Sequence, residues 1–226
     1  MKTLYRPCAV FCFLFFFCIP AEKDVANPAD PPIELERRQI VDVDGNIYTT
    51  LKIGDQWWMA ENLRVTRAPD GSSITSYAYN NDENMAPVYG RLYTWQAMMN
   101  GSTDPGAQGI APPGWHIPSI DEWQILIDYL GGNEIAGGKM KEPGTEHWGS
   151  PNTGATNSSG LTLVAGGSYV ISQNRFCDLN AGAHILTSSS EAANGIFVAV
   201  AAHSPEIGSA TISKTDIAFS VRCIKD

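Results

Sequence analysis

Ser119 and Glu122 stand in the S-x-x-E spacing of a helix capping box, directly after Pro118 and ahead of an apolar-periodic run. In that arrangement the hydroxyl accepts from one orphan N–H of the first turn and the carboxylate reaches back to another. A helix is therefore expected to start here. Trp123, Leu126, Ile127 and Leu130 follow at i, i+3, i+4 and i+7 as one apolar stripe. Gly131-Gly132 then supplies the residue type that ends helices in the left-handed conformation. Pro118 holds Ile117 extended, so the chain should enter this helix from a strand-like segment, Pro113 to Pro118, with Trp115 and Ile117 turned inward.

The 226 residues suffice for one domain, and 21 Gly with 14 Pro point to many turns rather than long helices. The amino-terminal segment reads as an export signal over residues 1–18. Lys2 and Arg6 precede an apolar stretch, Ala9 to Ile19, that is shorter than the ~20 residues a helix needs to cross a bilayer. Cys18 at the end of that stretch suggests a bacterial lipoprotein site at which the new terminal Cys is acylated; Ala21 would suit the ordinary signal peptidase. Residues 19–38, with Pro28, Pro31 and Pro32 and no periodic apolar face, read as a flexible linker, and the folded domain as 39–226. The net charge of −9, more negative still once Lys2 and Arg6 are removed, argues against nucleic acid as a partner.

Within the domain, Ile40 to Val43, Ile47 to Ile53 and the Trp57-Trp58-Met59 segment are separated by Asp44-Gly45 and Gly54-Asp55, the signature of a strand meander. Adjacent tryptophans on a strand face opposite sides, so one of Trp57 and Trp58 should enter the core and the other cover a helix or groove. A polar loop from Arg67 to Pro87 precedes a short helix over Leu92 to Met98. After Gly132 the chain reads as loop to Gly160. Short strands are then expected at Leu161–Val164, Tyr169–Ile171, His184–Leu186, Ile196–Ala201 and Ala218–Ile224, forming an antiparallel sheet.

Chemistry-bearing residues are few. His116, His147, His184 and His203 lack the spacing of a zinc site, and Ser168 lacks the G-x-S-x-G elbow of a hydrolase. No cofactor follows from these patterns. Calcium is the one cation that residue types could serve, since Asn80, Asn81, Asp82 and Glu83 offer oxygen ligands in one loop, although their spacing is also that of a solvated polar turn. Of five cysteines, Cys177 and Cys223 fall in the domain; an oxidising envelope would favour a disulfide between them, and two buried thiols are the alternative. Six tryptophans exceed what a small core needs, and rings beside Asn and Asp acceptors commonly grip sugars. Trp58 and Trp148, flanked by loops, are the candidate ligand-stacking residues.

Six ordered motifs resemble the Fibrobacter succinogenes major paralogous domain family. They are Asp44-Gly45-Asn46-Ile47-Tyr48, Ile53 to Leu63, Tyr89 to Trp95, Pro113 to Pro118, Asp121-Glu122-Trp123, and Phe219-Ser220-Val221-Arg222-Cys223. The capped helix and its approach are also similar to the formylglycine-generating enzyme fold, a variant of the C-type lectin-like fold. The resemblance implies an α+β, C-type lectin-like architecture, with two short helices flanking small antiparallel sheets and long irregular loops. Family members commonly carry a Cys just before the Pro-x-Gly-Trp-His segment that is expected to pair with the Cys of the Val-Arg-Cys end; here Ala111 or Pro112 occupies that position. The paired catalytic cysteines of the formylglycine-generating enzymes have no counterpart. The reading is an exported cell-envelope protein, a surface-exposed outer-membrane lipoprotein held to the membrane by its lipid anchor. It would act as a non-catalytic binding or adhesion module for a glycan. The rival readings are an interaction or structural component, with an envelope protein as partner, and a divergent enzyme of the formylglycine-generating fold.

Overall fold

The computed structural model describes residues 35–226; the expected signal segment, Cys18 and the linker up to residue 34 lie outside the described residues. The first strand begins two residues ahead of the expected domain boundary. In chain order the elements are β1 (Arg37–Val41), β2 (Ile47–Ile53), β3 (Gln56–Met59), α1 (Ala86–Tyr89), β4 (Tyr93–Thr94), α2 (Trp95–Met99), β5 (Trp115–His116), α3 (Ile120–Tyr129) and α4 (Asn133–Met140). They continue as β6 (Gly166–Val170), β7 (Arg175–Leu179), β8 (Gly182–Glu191), β9 (Asn194–Ala201), β10 (Ile207–Ser213), β11 (Ile217–Phe219) and β12 (Ile224–Lys225). The fold is mixed α+β, with antiparallel strand pairing and a few short helices. Three sheets run in the orders β1-β2-β3-β12-β5, β4-β11-β6-β7 and β10-β9-β8. No helix among the described residues is long and apolar enough to cross a membrane.

Local chemistry sets the meander. Asp42 Oδ1 accepts the N–H groups of Asp44 and Asn46, each at 2.9 Å, while Oδ2 takes the Tyr48 hydroxyl at 2.7 Å. This Asx-type turn hands the chain from β1 to β2 in register, Val41 opposite Ile47. In β3 the period of two divides the tryptophans. Trp58 enters one apolar cluster with Leu51, Trp123 and Ile224, whereas Met59 enters a second with Tyr48, Tyr93 and Cys223. Trp57 packs half-buried at the second, with the Arg38 guanidinium 4.2 Å from its ring centroid. The β8-β9-β10 sheet separates the same two clusters: Ile185, Val198, Val200 and Ile207 face one, and Leu186 and Phe197 the other.

The capping box at Ser119 and Glu122 forms in full, and Trp123, Leu126, Ile127 and Leu130 are buried beneath α3. Trp115 and Ile117 are buried on the approach, as the sequence implies. Helix α4 departs from expectation, because Gly137 and Gly138 read as breakers. Their lack of Cβ is what the packing requires: a Cβ on Gly137 would stand 2.7 Å from the carbonyl oxygens of Pro205 and Glu206, and the Gly138 N–H donates to Pro205 O at 2.8 Å. The expected strand at 161–164 is an irregular segment, and β10 was not expected, since Ile-Gly-Ser-Ala-Thr-Ile-Ser carries almost no apolar alternation. The single strand expected over 218–224 is two, broken at Ser220–Cys223.

Arg222 explains that break. Its side chain is 1% exposed, and its guanidinium gathers the irregular backbone of two distant segments. Nη1 donates to Ala60 O at 2.7 Å, Met59 O at 3.3 Å and Leu161 O at 2.5 Å; Nη2 donates to Thr162 O at 3.0 Å, and Nε to Asn62 Oδ1 at 2.8 Å. Burial pulls its pKa down to about 9, with Glu61 opposing the shift, so the group is charged at neutral pH. Arg222→Leu would leave these carbonyls unpaired and is expected to destabilise the domain by at least about 3 kcal/mol, read from the urea midpoint. Arg222→Lys is expected to recover only part of that loss, because a single ammonium cannot span both segments.

Candidate functional site

The motif residues around Arg222 form one wall of a cleft of about 350 Å³. That volume lies at the small end of the roughly 300–1,000 Å³ found for ligand sites. Strands β1 and β2 contribute Arg37 and Thr49, and the segment leaving β3 contributes Ala60, Glu61 and Asn62. Val88 of α1, Glu142 and His147 from the loop after α4, and Thr162 and Val164 complete the lining.

Each polar group is set by a specific contact. Glu61 Oε2 accepts the Thr49 N–H at 2.8 Å. Asn62 Nδ2 donates to Tyr89 O at 2.9 Å and to Ser220 Oγ at 3.3 Å, so α1 is tied to the Arg222 segment through one amide. Gly90, at φ +75°, permits this approach: a Cβ there would stand 2.5 Å from that of Asn62. On the opposite wall His147 Nδ1 lies 2.7 Å from Glu142 Oε2, and the Tyr89 ring meets the imidazole edge-on at 5.5 Å. The Glu142 carboxylate fixes the ring plane, and the Glu146 carboxylate stands 4.0 Å from Nε2. Burial, followed by the nearby Glu142 and Glu146 carboxylates, raises the Tyr89 pKa, so this ring is a neutral phenol.

Thr162 carries backbone strain into the cleft. It sits at φ +52°, a region that a β-branched residue rarely adopts. Asn157 holds it on both sides, accepting its N–H at 2.8 Å and donating to its hydroxyl at 2.9 Å, while Arg222 takes its carbonyl. Held strain of this kind concentrates at functional sites.

The residues singled out from sequence lie elsewhere. Trp58 and Trp148 are both 0% exposed and cannot stack on a ligand. Trp58 packs on Trp123 at 4.7 Å between ring centroids and donates to Gln56 Oε1, whereas Trp148 donates to Leu163 O at 2.8 Å beneath Lys141. The loops that flank them fold over them. Asn80, Asn81, Asp82 and Glu83 lie in consecutive turns. Asn80 and Asn81 are left-handed, Asp82 accepts from the Asn84 N–H and side chain, and Glu83 pairs with Arg91. Among the described residues no group of three or more His, Cys, Asp or Glu is placed to hold a metal ion. The expected Cys177–Cys223 disulfide does not form: Cys223 is a free buried thiol whose pKa burial pushes well up, and Cys177 lies on β7 opposite Ser168. Such a thiol is not a nucleophile at neutral pH. The Glu142–His147 pair was missed because a five-residue separation in a loop has no recognisable period.

His116 is a clasp outside the cleft. Its Nδ1 lies 2.7 Å from Asp226 Oδ1 and its Nε2 2.7 Å from Glu122 Oε1, joining the end of the chain to the cap of α3. The Glu122 hydrogen bond raises its pKa above burial's opposing effect, with Asp226 adding to the rise. A raised histidine stabilises the fold fully below the unfolded value of about 6.5, and that contribution is lost as pH rises through the folded value. His184, buried against Phe219, has the opposite sign: burial lowers its pKa, and stability is lost as pH falls below about 6.5. His116→Asn is therefore expected to reduce the melting temperature most in mildly acid buffer and progressively less toward alkaline pH. A pH series of thermal melts, wild type against variant, checks this.

A family profile described as the Fibrobacter succinogenes major domain matches residues 51–225. No curated protein and no solved structure matches the chain. The matched span contains both the segment around Asn62 and the Arg222 segment that clasps it, and it covers most of the sequence. This chain is thus a member of the Fibrobacter succinogenes major domain family.

Proposed function

We propose that this protein is an exported cell-envelope module that binds carbohydrate without catalysis, using the cleft between Glu61 and His147. The observation that carries this reading is the mixed polarity of one small cleft. Carboxylates of Glu61 and Glu142 stand in the same lining as the Arg37 guanidinium and the His147 imidazole, beside the apolar patches of Val88 and Val164. A sugar hydroxyl donates and accepts at once, so vicinal hydroxyls suit a lining that offers both partners, and the ring's C–H face suits the valines. The C-type lectin-like description belongs to the same proposal and is supported by short helices, small antiparallel sheets and long loops. So does attachment to the outer-membrane surface through a lipid on Cys18.

Calorimetry of the protein against bacterial, plant and mucin glycans tests the reading. Saturable binding is expected, weakened at least about tenfold by Glu142→Ala and by His147→Ala, and unchanged by chelator because Asp82 and Glu83 are engaged within the protein. Silence across the panel in a folded sample would overturn the glycan reading in favour of an envelope-protein partner. Cys18→Ala is expected to abolish incorporation of a labelled fatty acid and to release the protein from the membrane fraction.

A further inference from the structure

Strand β10 is the outer strand of its sheet, paired with β9 along all seven residues, from Ile207 opposite Val200 to Ser213 opposite Asn194, without a bulge. It has neither charge nor proline, the devices that normally blunt an edge, whereas the edge strand β1 carries Arg37 and Arg38. The phase of its hydrogen bonds follows from its neighbours. His184 and Leu186 turn their backbone groups away from β9 to Ser220, so Ala183 and Ile185 bond to Val200 and Val198. Phe197 and Ala199 therefore face β10, where they bond to Ala210 and Gly208, leaving the backbone groups of Ile207, Ser209, Thr211 and Ser213 turned outward. Asn133 Nδ2 caps the Ile207 carbonyl at 3.0 Å; among the described residues nothing pairs with the outward backbone groups of Ser209 and Thr211.

We infer that this edge pairs with β10 of a second copy of the chain, antiparallel about a two-fold axis at Ala210, to give one continuous six-stranded sheet. Outward residues must oppose outward residues, so the axis falls on a residue, and the flanking charges choose which. Centred on Ala210, Ser209 meets Thr211, Gly208 meets Ile212, and Glu206 meets Lys214 of the second copy on both sides. Centred on Thr211, Glu206 would face Asp216, a like charge; centred on Ser209, it would face Ile212. Glu206 is exposed at one end of the strand. At the other, Lys214 donates to Ala192 O at 2.9 Å and lies 4.3 Å from the Trp95 centroid, with further ammonium hydrogens to share. Such a contact is isologous and closes, which protects an otherwise open edge from unlimited pairing.

Sedimentation velocity of the full chain, over concentrations reaching the millimolar, tests the pairing, with circular dichroism as the check on folding. The wild type is expected to form dimers and nothing larger. Thr211→Lys, which sets a cation on the exposed edge, is expected to abolish them. Glu206→Lys and Lys214→Glu should each be monomeric alone, with Lys facing Lys or Glu facing Glu, and should dimerise when mixed. A wild type that stays monomeric throughout, a dimer that survives Thr211→Lys, or a mixture that does not associate would each overturn the inference.

Discussion

A buried guanidinium organises this domain. Much of the chain is neither helix nor strand, and irregular backbone taken out of water leaves carbonyls without the partners that regular structure supplies. Arg222 answers that problem for the segments after β3 and after Gly160, since its rigid fork places several donors in one plane. Lys141, paired with Leu163, does the same for the segments around Thr153 and Ala201 to Ser204. It is 0% exposed, and its ammonium reaches Thr153 O at 2.8 Å, Ser204 O at 3.0 Å, Ala201 O at 3.2 Å and Ala202 O at 3.4 Å. Burial pulls its pKa to about 8, which keeps it charged at neutral pH. Two cations that have no carboxylate hydrogen-bond partner among the described residues thus serve as the fasteners of irregular loops.

The cleft is a consequence of the first fastener. Arg222 fixes Asn62, Asn62 fixes the end of α1, and α1 brings Tyr89 to the His147 imidazole. The same guanidinium holds the strained carbonyl of Thr162, so the opposite rims of the cleft share one anchor. A small cleft with mixed polar groups on so tightly tied a frame is preorganised, which is what the proposed binding of a small polar ligand would require.

Legibility in the sequence followed the range of the interaction. The capping box, the stripe of α3, the Asp44-Gly45 turn and the alternation through Trp57 and Trp58 depend on residues a few positions apart, and they stand in the structure as the spacing implies. Helix α4 was hidden because Gly137 and Gly138 are poor helix formers locally, although Pro205 and Glu206 leave no room for a Cβ there. Strand β10 was hidden because its small residues carry no periodic signal; its place comes from seven pairings to β9.

The tryptophans, cysteines and charges show the same division. Their motif context carries the family resemblance, the 219–223 segment included, but residue type alone does not say whether a ring is covered. Trp58 and Trp148 looked available beside loops, yet those loops close over them. The free state of Cys223, the meeting of Glu142 with His147 and the assembly of the cleft likewise depend on segments far apart in the chain. The sequence by itself determined the local elements, because caps, turns and alternation act over a few residues. Only the tertiary structure decided which polar groups share a cleft and which aromatic faces are buried, because those outcomes depend on how distant backbone carbonyls are gathered around Arg222 and Lys141.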